Sequence, residues 1–210
     1  MFFIYLLGAG MAVCLLQMKV LARYRHCTNR RGLMGYEVAH NLLDLSGASH
    51  IAVEKEGEGR RGLNGGKYLL LPKAVYEGKS LLAVAEAAHQ SALAARVNPF
   101  PRETLLRVWN GFRALFPLAL LVLAVSLARP EGVGAKAFCW FLFTPLLAGA
   151  VLDMPSQWQA GKDAFTLLKQ TGHFEVDELA KLRDLLRALR WSPVTGIFQF
   201  PKIFFAGRSR

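Results

Sequence analysis

The sequence is poor in cysteine and in acidic residues. Its 210 residues include three cysteines, Cys14, Cys27 and Cys139, and no two of them form a C-x-x-C pair. An odd count without that spacing argues against a disulfide scaffold or a zinc ribbon, so we expect free thiols in a reducing compartment. Lysine and arginine number 26 against 15 acidic residues, which gives a formal net charge of +11. This excess is spread over several segments and forms no nucleic-acid-binding motif, so we expect no nucleic-acid partner.

Long apolar runs are what the chain does have. Hydrophobic residues make up 53% of the sequence, a high share for a soluble protein. Residues 2–21 are apolar except for Gln17 and Lys19, and a helix of about 20 residues is long enough to cross a bilayer. Basic residues follow this run, whereas a cleaved signal peptide carries them before its apolar region. We therefore expect an uncleaved N-terminal transmembrane anchor, with the residues after it in the cytoplasm.

A second pair of apolar runs predicts a transmembrane helical hairpin. Residues 114–128 and 137–152 are apolar, and the turn between them contains Pro130 and Gly132. Two crossings return the chain to the side on which it started, so both flanking segments should be cytoplasmic. The sequence thus predicts a multi-pass protein of the cell (cytoplasmic) membrane with its main lobe in the cytoplasm. The predicted domains are an anchor at 1–21, a cytoplasmic lobe at 22–113, the hairpin at 114–154, a cytoplasmic helical segment at 155–192 and an interfacial tail at 193–210.

Outside these runs, the hydrophobic spacing predicts further helices and a small sheet. Apolar residues recur every three to four positions over 32–45 and again over 177–190, which is typical of amphipathic helices. The alanine- and leucine-rich run 78–96 predicts a nearly buried central helix. Two short apolar runs, 51–53 and 68–71, flank a glycine-rich turn and predict a short β-hairpin.

The central run contains a single histidine, His89, within a frame that departs from a known catalytic pattern. Zinc peptidases of the H-E-x-x-H type carry two histidines on one helix face, with a glutamate that activates the metal-bound water. The corresponding residues here are His89, Gln90 and Leu93. A neutral amide accepts no proton from water, and a leucine side chain has no lone pair for a metal. The run therefore resembles the active-site helix of a zinc peptidase but lacks its general base and its second zinc ligand.

Four segments of the chain match the motifs of one known family. Residues 32–39 are similar to G-L-T-G-x-E-V-A, 75–80 to V-Y-x-G-x-S, 87–89 to A-A-H, and 155–160 to P-V-E-F-x-A. Together they resemble the bacterial membrane-bound neutral zinc metallopeptidases, and the resemblance covers most of the chain. It implies a third zinc ligand at position 157, where Gln157 replaces the glutamate. The family's D-H-Y-D-P stretch has no counterpart in the glycine-rich turn.

The resemblance and the apolar runs together imply a fold class. We expect a mainly α protein of the bacterial inner membrane, with an N-terminal anchor and a transmembrane helical hairpin. Between them should lie a small α+β cytoplasmic lobe that is zincin-like and contains the short β-hairpin. A C-terminal cytoplasmic helix should complete this lobe.

Of the positions that carry the family's chemistry, only His89 keeps a metal-binding side chain. The sequence therefore predicts no bound metal, no cofactor and a vestigial site formed by His89, Gln90, Leu93 and Gln157. We expect a pseudopeptidase, a catalytically inactive homologue that acts as a binding or scaffold subunit of a membrane assembly. Its expected partners are the lipid bilayer and a membrane protein, for which an active homologue is one candidate.

Other interpretations stay open. An active enzyme could use a rearranged site in which His89 acts with Glu86, His40, His50 or Gln157, although none of these reproduces a known ligand spacing. The chain could also be a membrane accessory protein whose resemblance reports only ancestry. His89 itself could be a core histidine hydrogen-bonded to Glu86. A pairing of Glu37 with His40 is more simply a solvated helix face than a metal site.

Overall fold

The computed structural model describes residues 2–57, 68–96 and 133–198. The chain divides into two compact units, one of residues 15–97 and 156–192, which we call the core unit, and one of residues 1–14, 98–155 and 193–210. The helices are α1 (Phe2–Tyr24), α2 (Gly35–Leu45), α3 (Lys73–Tyr76), α4 (Leu81–Arg96), α5 (Val133–Gln170), α6 (Val176–Leu189) and α7 (Ser192–Phe198), and the strands are β1 (Ala52–Lys55) and β2 (Tyr68–Leu71).

Helix α4 is the centre of the core unit, because most of its surface is buried. Ser80 precedes the helix, and its Oγ accepts a hydrogen bond from the backbone N–H of Ala83 at 3.1 Å. This contact satisfies one of the free donors at the helix start. The predicted central helix is confirmed, although it begins at Leu81 rather than at 78. Its buried residues are Leu81, Ala83, Val84, Ala85, Ala87, Ala88, His89, Ser91, Ala92 and Leu93.

Two hydrophobic clusters cover opposite parts of α4. The larger one is helical and includes Leu42 of α2, Leu168 of α5 and Leu185 of α6, each 0% exposed. Burial of one such leucine stabilises the fold by about 1.5–3 kcal/mol. The smaller cluster joins α2 and α4 to the sheet, through residues such as Leu71 and Ala87. The candidate histidine therefore lies on a helix that packs against both clusters.

The two strands pair in parallel, so the predicted β-hairpin is wrong. Ala52 lies opposite Tyr68, and Lys55 lies opposite Leu71. The apolar runs indicated the strands correctly but carried no information on their relative direction, and the glycine-rich segment between them suggested a tight turn. A parallel pair instead needs a long crossover connection. Residues 58–67, which hold most of this connection and of the predicted turn, lie outside the described residues.

The segment before α2 docks against the segment before α4 through two glycines. The backbone N–H of Gly35 donates to the carbonyl of Gly78 at 3.0 Å. A Cβ atom added at Gly35 would lie 2.0 Å from the carbonyl oxygen of Val75, and one added at Gly78 would lie 2.3 Å from that of Ala74. Only glycine permits so close an approach of two backbones.

Asn29 completes this contact with its buried side chain, which is 4% exposed. Its Nδ2 donates to the carbonyls of Leu33 and Lys79, both at 2.7 Å, and its Oδ1 accepts from the N–H of Leu33 at 2.8 Å. These bonds satisfy backbone groups that helices and strands leave open. We call the set of Asn29, Gly35, Gly78 and Ser80 the glycine junction.

The predicted membrane architecture is wrong. Within the described parts of the chain, no helix combines the length and the apolar character that a bilayer crossing requires. This overturns the transmembrane anchor, the helical hairpin and the multi-pass membrane localisation. The polar residues Gln17 and Lys19 interrupt the apolar run within α1. Two residues near the end of this helix, Leu21 and Tyr24, pack against the helical cluster of the core unit. The first arm of the predicted hairpin, 114–128, lies outside the described residues.

The other helix predictions have mixed outcomes. The amphipathic helices at 32–45 and 177–190 are confirmed as α2 and α6. The second predicted hairpin arm and the segment after it are instead one helix, α5, which contains Pro145 and Pro155. Its later residues, such as Ala164, are buried in the core unit, so packing continues the helix beyond the apolar run. Most of the predicted interfacial tail, from 199 onward, lies outside the described residues.

Candidate functional site

His89 and Gln157 lie side by side in the interior of the core unit. His89 is 3% exposed and Gln157 is 7% exposed. The Nε2 atom of His89 is 2.7 Å from Oε1 of Gln157. An amide oxygen only accepts hydrogen bonds, so Nε2 of His89 carries a proton and donates it to Gln157. The ring nitrogen that faces position 157 therefore has no lone pair to offer a ligand.

Small side chains on two helices allow this contact. On α4, Ala85, Ala88 and Ala92 belong to the helical cluster, and on α5, Ala160 and Ala164 belong to the same cluster and are 0% exposed. The separation of two packed helices depends on the size of the side chains between them. Alanines bring the backbones close enough for the two polar side chains to bond directly.

Ser192 adds a second donor to Gln157. Its hydroxyl lies 3.4 Å from Oε1 of Gln157 and donates to it. The sequence analysis did not single out Ser192, which lies at the start of the short helix α7 and belongs to no recognisable motif. The amide oxygen of Gln157 thus accepts from an imidazole and from a hydroxyl, which is the role of a structural polar anchor.

The other two positions of the vestigial site lie in different environments. Gln90 is exposed to solvent, because the residue that follows His89 on a helix points to another face. Leu93 lies one turn after His89 and is buried in the helical cluster at 6% exposure. The structure therefore brings His89 together with Gln157, places Leu93 among apolar side chains beside them and leaves Gln90 outside.

The residues considered for a rearranged site have other surroundings. Glu37 accepts the backbone N–H of Met34 at 2.7 Å and so stabilises the start of α2. His40 lies 3.0 Å from Asp44 on the exposed face of the same helix. His50 is exposed, and Glu86 is half-buried on α4. Across the described residues, no group of three His, Cys, Asp or Glu side chains is arranged to hold a metal ion.

A cluster of basic side chains lies where α6 faces α5. Arg183, Arg187 and Arg190 follow one face of α6 and its last turn, and the guanidinium of Arg190 lies 6.0 Å from the ring centroid of Trp158 on α5. Burial lowers the pKa of Arg190, and the neighbouring charges of Arg187 and Arg183 lower that pKa further. The sequence analysis missed this cluster, although its spacing of four and three residues was a readable signal.

The donor set around His89 does not fit a catalytic zinc ion. Such an ion takes three protein ligands and one water, and its ligands are imidazole, thiolate or carboxylate groups. Here one protonated ring nitrogen faces a neutral amide, and the neighbouring position on the helix face is a leucine in a hydrophobic cluster.

The comparisons with known proteins identify the family. A family model described as "Putative neutral zinc metallopeptidase" matches residues 1–198. The chain belongs to this family, as the sequence motifs predicted. Neither the curated proteins nor the solved structures yielded a match.

Proposed function

We propose that this chain is a catalytically inactive member of the zinc metallopeptidase family that works by binding a protein partner. The observation that carries the proposal is the 2.7 Å contact between Nε2 of His89 and Oε1 of Gln157. It supports inactivity because Nε2 of His89 donates a hydrogen bond to a neutral side chain, whereas a zinc ligand would have to offer the lone pair of that nitrogen to the metal. A single imidazole does not retain zinc in competition with cellular chelators.

The position of Gln90 supports the same proposal. A metallopeptidase needs a carboxylate beside its metal-bound water to accept the proton of that water. Gln90 cannot accept a proton, and its side chain is exposed to solvent rather than directed toward His89 and Gln157. The chain therefore has neither the ligand set nor the base at the place where its family relationship would put them.

The binding role is supported by the contrast between this site and the rest of the core unit. The glycine junction and both hydrophobic clusters form a tightly packed scaffold, while the vestigial site holds neutral groups. A scaffold that persists without its chemistry is suited to present a surface to another protein. An active homologue of the same family is one candidate for that protein.

Metal content and peptidase activity of the purified chain test the inactivity. We expect substoichiometric zinc by elemental analysis and no cleavage of a general peptide substrate. The triple variant Gln90→Glu, Leu93→His and Gln157→Glu is the positive arm, because it supplies a second imidazole and a carboxylate beside His89. It should bind zinc more tightly than the parent without gaining activity, since residue 90 faces solvent. About one zinc per parent chain, the content of a catalytic site, would overturn the proposal.

The binding role has its own test. The chain is tagged at its native gene, and its molar mass is measured in a gentle cell extract before and after chemical cross-linking. We expect a complex of defined mass that includes a second protein in a constant ratio. The His89→Ala variant should leave this complex unchanged, because binding does not require the vestigial site. A chain that migrates as a monomer under all conditions would contradict a partner.

A further inference from the structure

A cavity of about 390 Å³ lies between α5 and α6 within the core unit. One wall is formed by α5, through Lys162, Phe165 and Thr166, and the other by the arginine face of α6. Arg183, Arg187 and Arg190 recur at intervals of four and three residues, so their side chains lie on one face of the helix. A lysine and three arginines thus converge on one concave surface, whose lining contains no acidic residue.

The positive charges of this cavity are weakly compensated. The guanidinium of Arg183 lies 6.0 Å above the ring of Phe165, and that of Arg187 comes no closer than 3.8 Å to Asp184 on its own helix. The Nε atom of Arg190 is buried and has no hydrogen-bond acceptor. Repulsion among these groups is consistent with the lowered pKa of Arg190, for which burial is the larger cause. An anion bound here would reduce the repulsion between the positive charges and would supply acceptors for their N–H groups.

Gly161 leaves room for the side chain of Arg190 at the edge of the cavity. A Cβ atom at position 161 would lie 2.6 Å from Nε and 3.0 Å from Cγ of Arg190. The lack of a side chain at position 161 therefore lets Arg190 approach α5 closely, and its guanidinium lies 6.0 Å from the ring centroid of Trp158. Such a preorganised guanidinium loses less conformational freedom on binding than a solvated one.

We propose that this cavity binds a phosphate or diphosphate group. Guanidinium groups match the oxygens of a phosphate with paired, charge-assisted hydrogen bonds, and a lysine adds a point charge. The volume of about 390 Å³ admits such a group together with part of the molecule that carries it. The group can belong to a soluble phosphorylated compound or to a lipid headgroup, and both present the same chemistry to the cavity. The site is separate from His89 and Gln157, so the proposal does not rest on the inactivity of the chain.

Calorimetric titration of the full chain with pyrophosphate is the test. The double variant Arg183→Gln/Arg187→Gln removes two exposed charges from the cavity. The matched control, Lys169→Gln/Lys181→Gln, removes two exposed charges from the same helices outside the cavity. We expect the arginine variant to bind pyrophosphate about tenfold more weakly than the parent, through the lost charge-assisted bonds, and the control to stay within about twofold. No binding by the parent at millimolar pyrophosphate, or equal weakening in both variants, would overturn the proposal.

Vesicle sedimentation distinguishes the two sources of the phosphate group. Vesicles of phosphatidylcholine with phosphatidic acid are compared with vesicles of phosphatidylcholine alone. Sedimentation that requires phosphatidic acid and is lost only in the arginine variant would assign the cavity to a lipid headgroup. Binding of pyrophosphate without that dependence would assign it to a soluble phosphorylated compound. Circular dichroism of all variants verifies that each one is folded.

Discussion

The glycine junction and the His89–Gln157 pair are both built where α4 meets another segment, but different constraints act on them. At the junction, a single added carbon atom would lie 2.0 Å from the carbonyl oxygen of Val75, so the backbone itself dictates the residue type. At the pair, two buried side chains share one hydrogen bond, so their own polar groups rather than the backbone set the contact. Backbone geometry therefore restricts the residue type at the junction, whereas side-chain hydrogen bonding restricts it at the pair.

The largest effect should come from breaking the junction at Gly35. The Gly35→Ala variant places a methyl group 2.0 Å from the carbonyl oxygen of Val75 and 3.4 Å from Cβ of Ala87. Since backbone must move to accept it, we expect a loss of roughly 3–5 kcal/mol of unfolding free energy. Urea unfolding followed by circular dichroism measures this loss. Gly8→Ala is the control, because nothing lies within 4 Å of a Cβ at that helical glycine, and its effect should be neutral or stabilising by up to about 1 kcal/mol.

Asn29→Ala should cost less than Gly35→Ala but more than an average surface substitution. It removes three side-chain hydrogen bonds and leaves the N–H and carbonyl of Leu33 without the partner they have in the protein, while the carbonyl of Lys79 keeps the backbone N–H of residue 29 at 3.0 Å. One unsatisfied buried group costs about 1–3 kcal/mol, and we expect a total of roughly 2–4 kcal/mol. Asn29→Asp is the informative comparison, since the carboxylate keeps the acceptor for Leu33 but loses both donors. If Asp were as stable as Asn, the two carbonyl contacts would be irrelevant to stability.

The His89–Gln157 pair should show a smaller, mutual dependence. Gln157→Leu removes the acceptor of a buried N–H, and His89→Leu removes the donor, so each alone should cost about 1–3 kcal/mol. The double variant contains neither polar group, so neither one is buried without the partner it has in the pair. It should therefore lose about 1 kcal/mol less unfolding free energy than the sum of the losses of the two single variants. Thermal or urea unfolding of the four proteins measures this coupling. Strict additivity would mean that the 2.7 Å contact contributes nothing to stability.

The sequence predicted the central helix and the position that faces His89, but it did not predict the strand direction or the tertiary contacts of α6 and α7. The burial of α4 followed from its alanine and leucine content, and the resemblance pointed to position 157 as the one facing His89, which the structure places 2.7 Å away. Strand direction was not predictable, because a period-two pattern is the same in parallel and antiparallel pairs. The membrane prediction was wrong because it rested on the length of apolar runs, whereas a crossing helix must stay apolar throughout, and α1 contains Gln17 and Lys19. The contact of Ser192 with Gln157 is a tertiary contact that no local pattern contains, and the arginine spacing on α6 was a readable signal that does not tell which helix lies opposite.

The smallest effect should come from the ion pair at the rim of the junction. The ammonium of Lys55 lies 2.8 Å from a carboxylate oxygen of Glu77, the residue before Gly78. The hydrogen bond from Lys55 is the main cause that lowers the pKa of Glu77 below its ordinary value of 4.5, with the charges of Lys55 and Lys73 adding to it. A lowered pKa in the folded state means that the pair stabilises the protein above the ordinary pKa of the carboxyl. That contribution is lost as the pH falls through the lowered value.

Glu77→Gln should therefore reduce stability slightly at neutral pH and make no difference once the carboxyl of the parent is protonated. The expected difference is small because the Glu77 side chain is 48% exposed, so that water screens the pair. Urea unfolding of parent and variant at several pH values measures it, with Glu56→Gln, an exposed carboxylate that follows β1, as the control. The two stability curves should begin to approach each other as the pH falls below the ordinary pKa of 4.5 and should meet once it is below the lowered pKa of Glu77 in the folded state. Curves that diverge in this acidic range instead would show that Glu77 stabilises the junction in its protonated form. The residue type at position 77 would then be restricted by its contacts in the junction, as it is at Gly35.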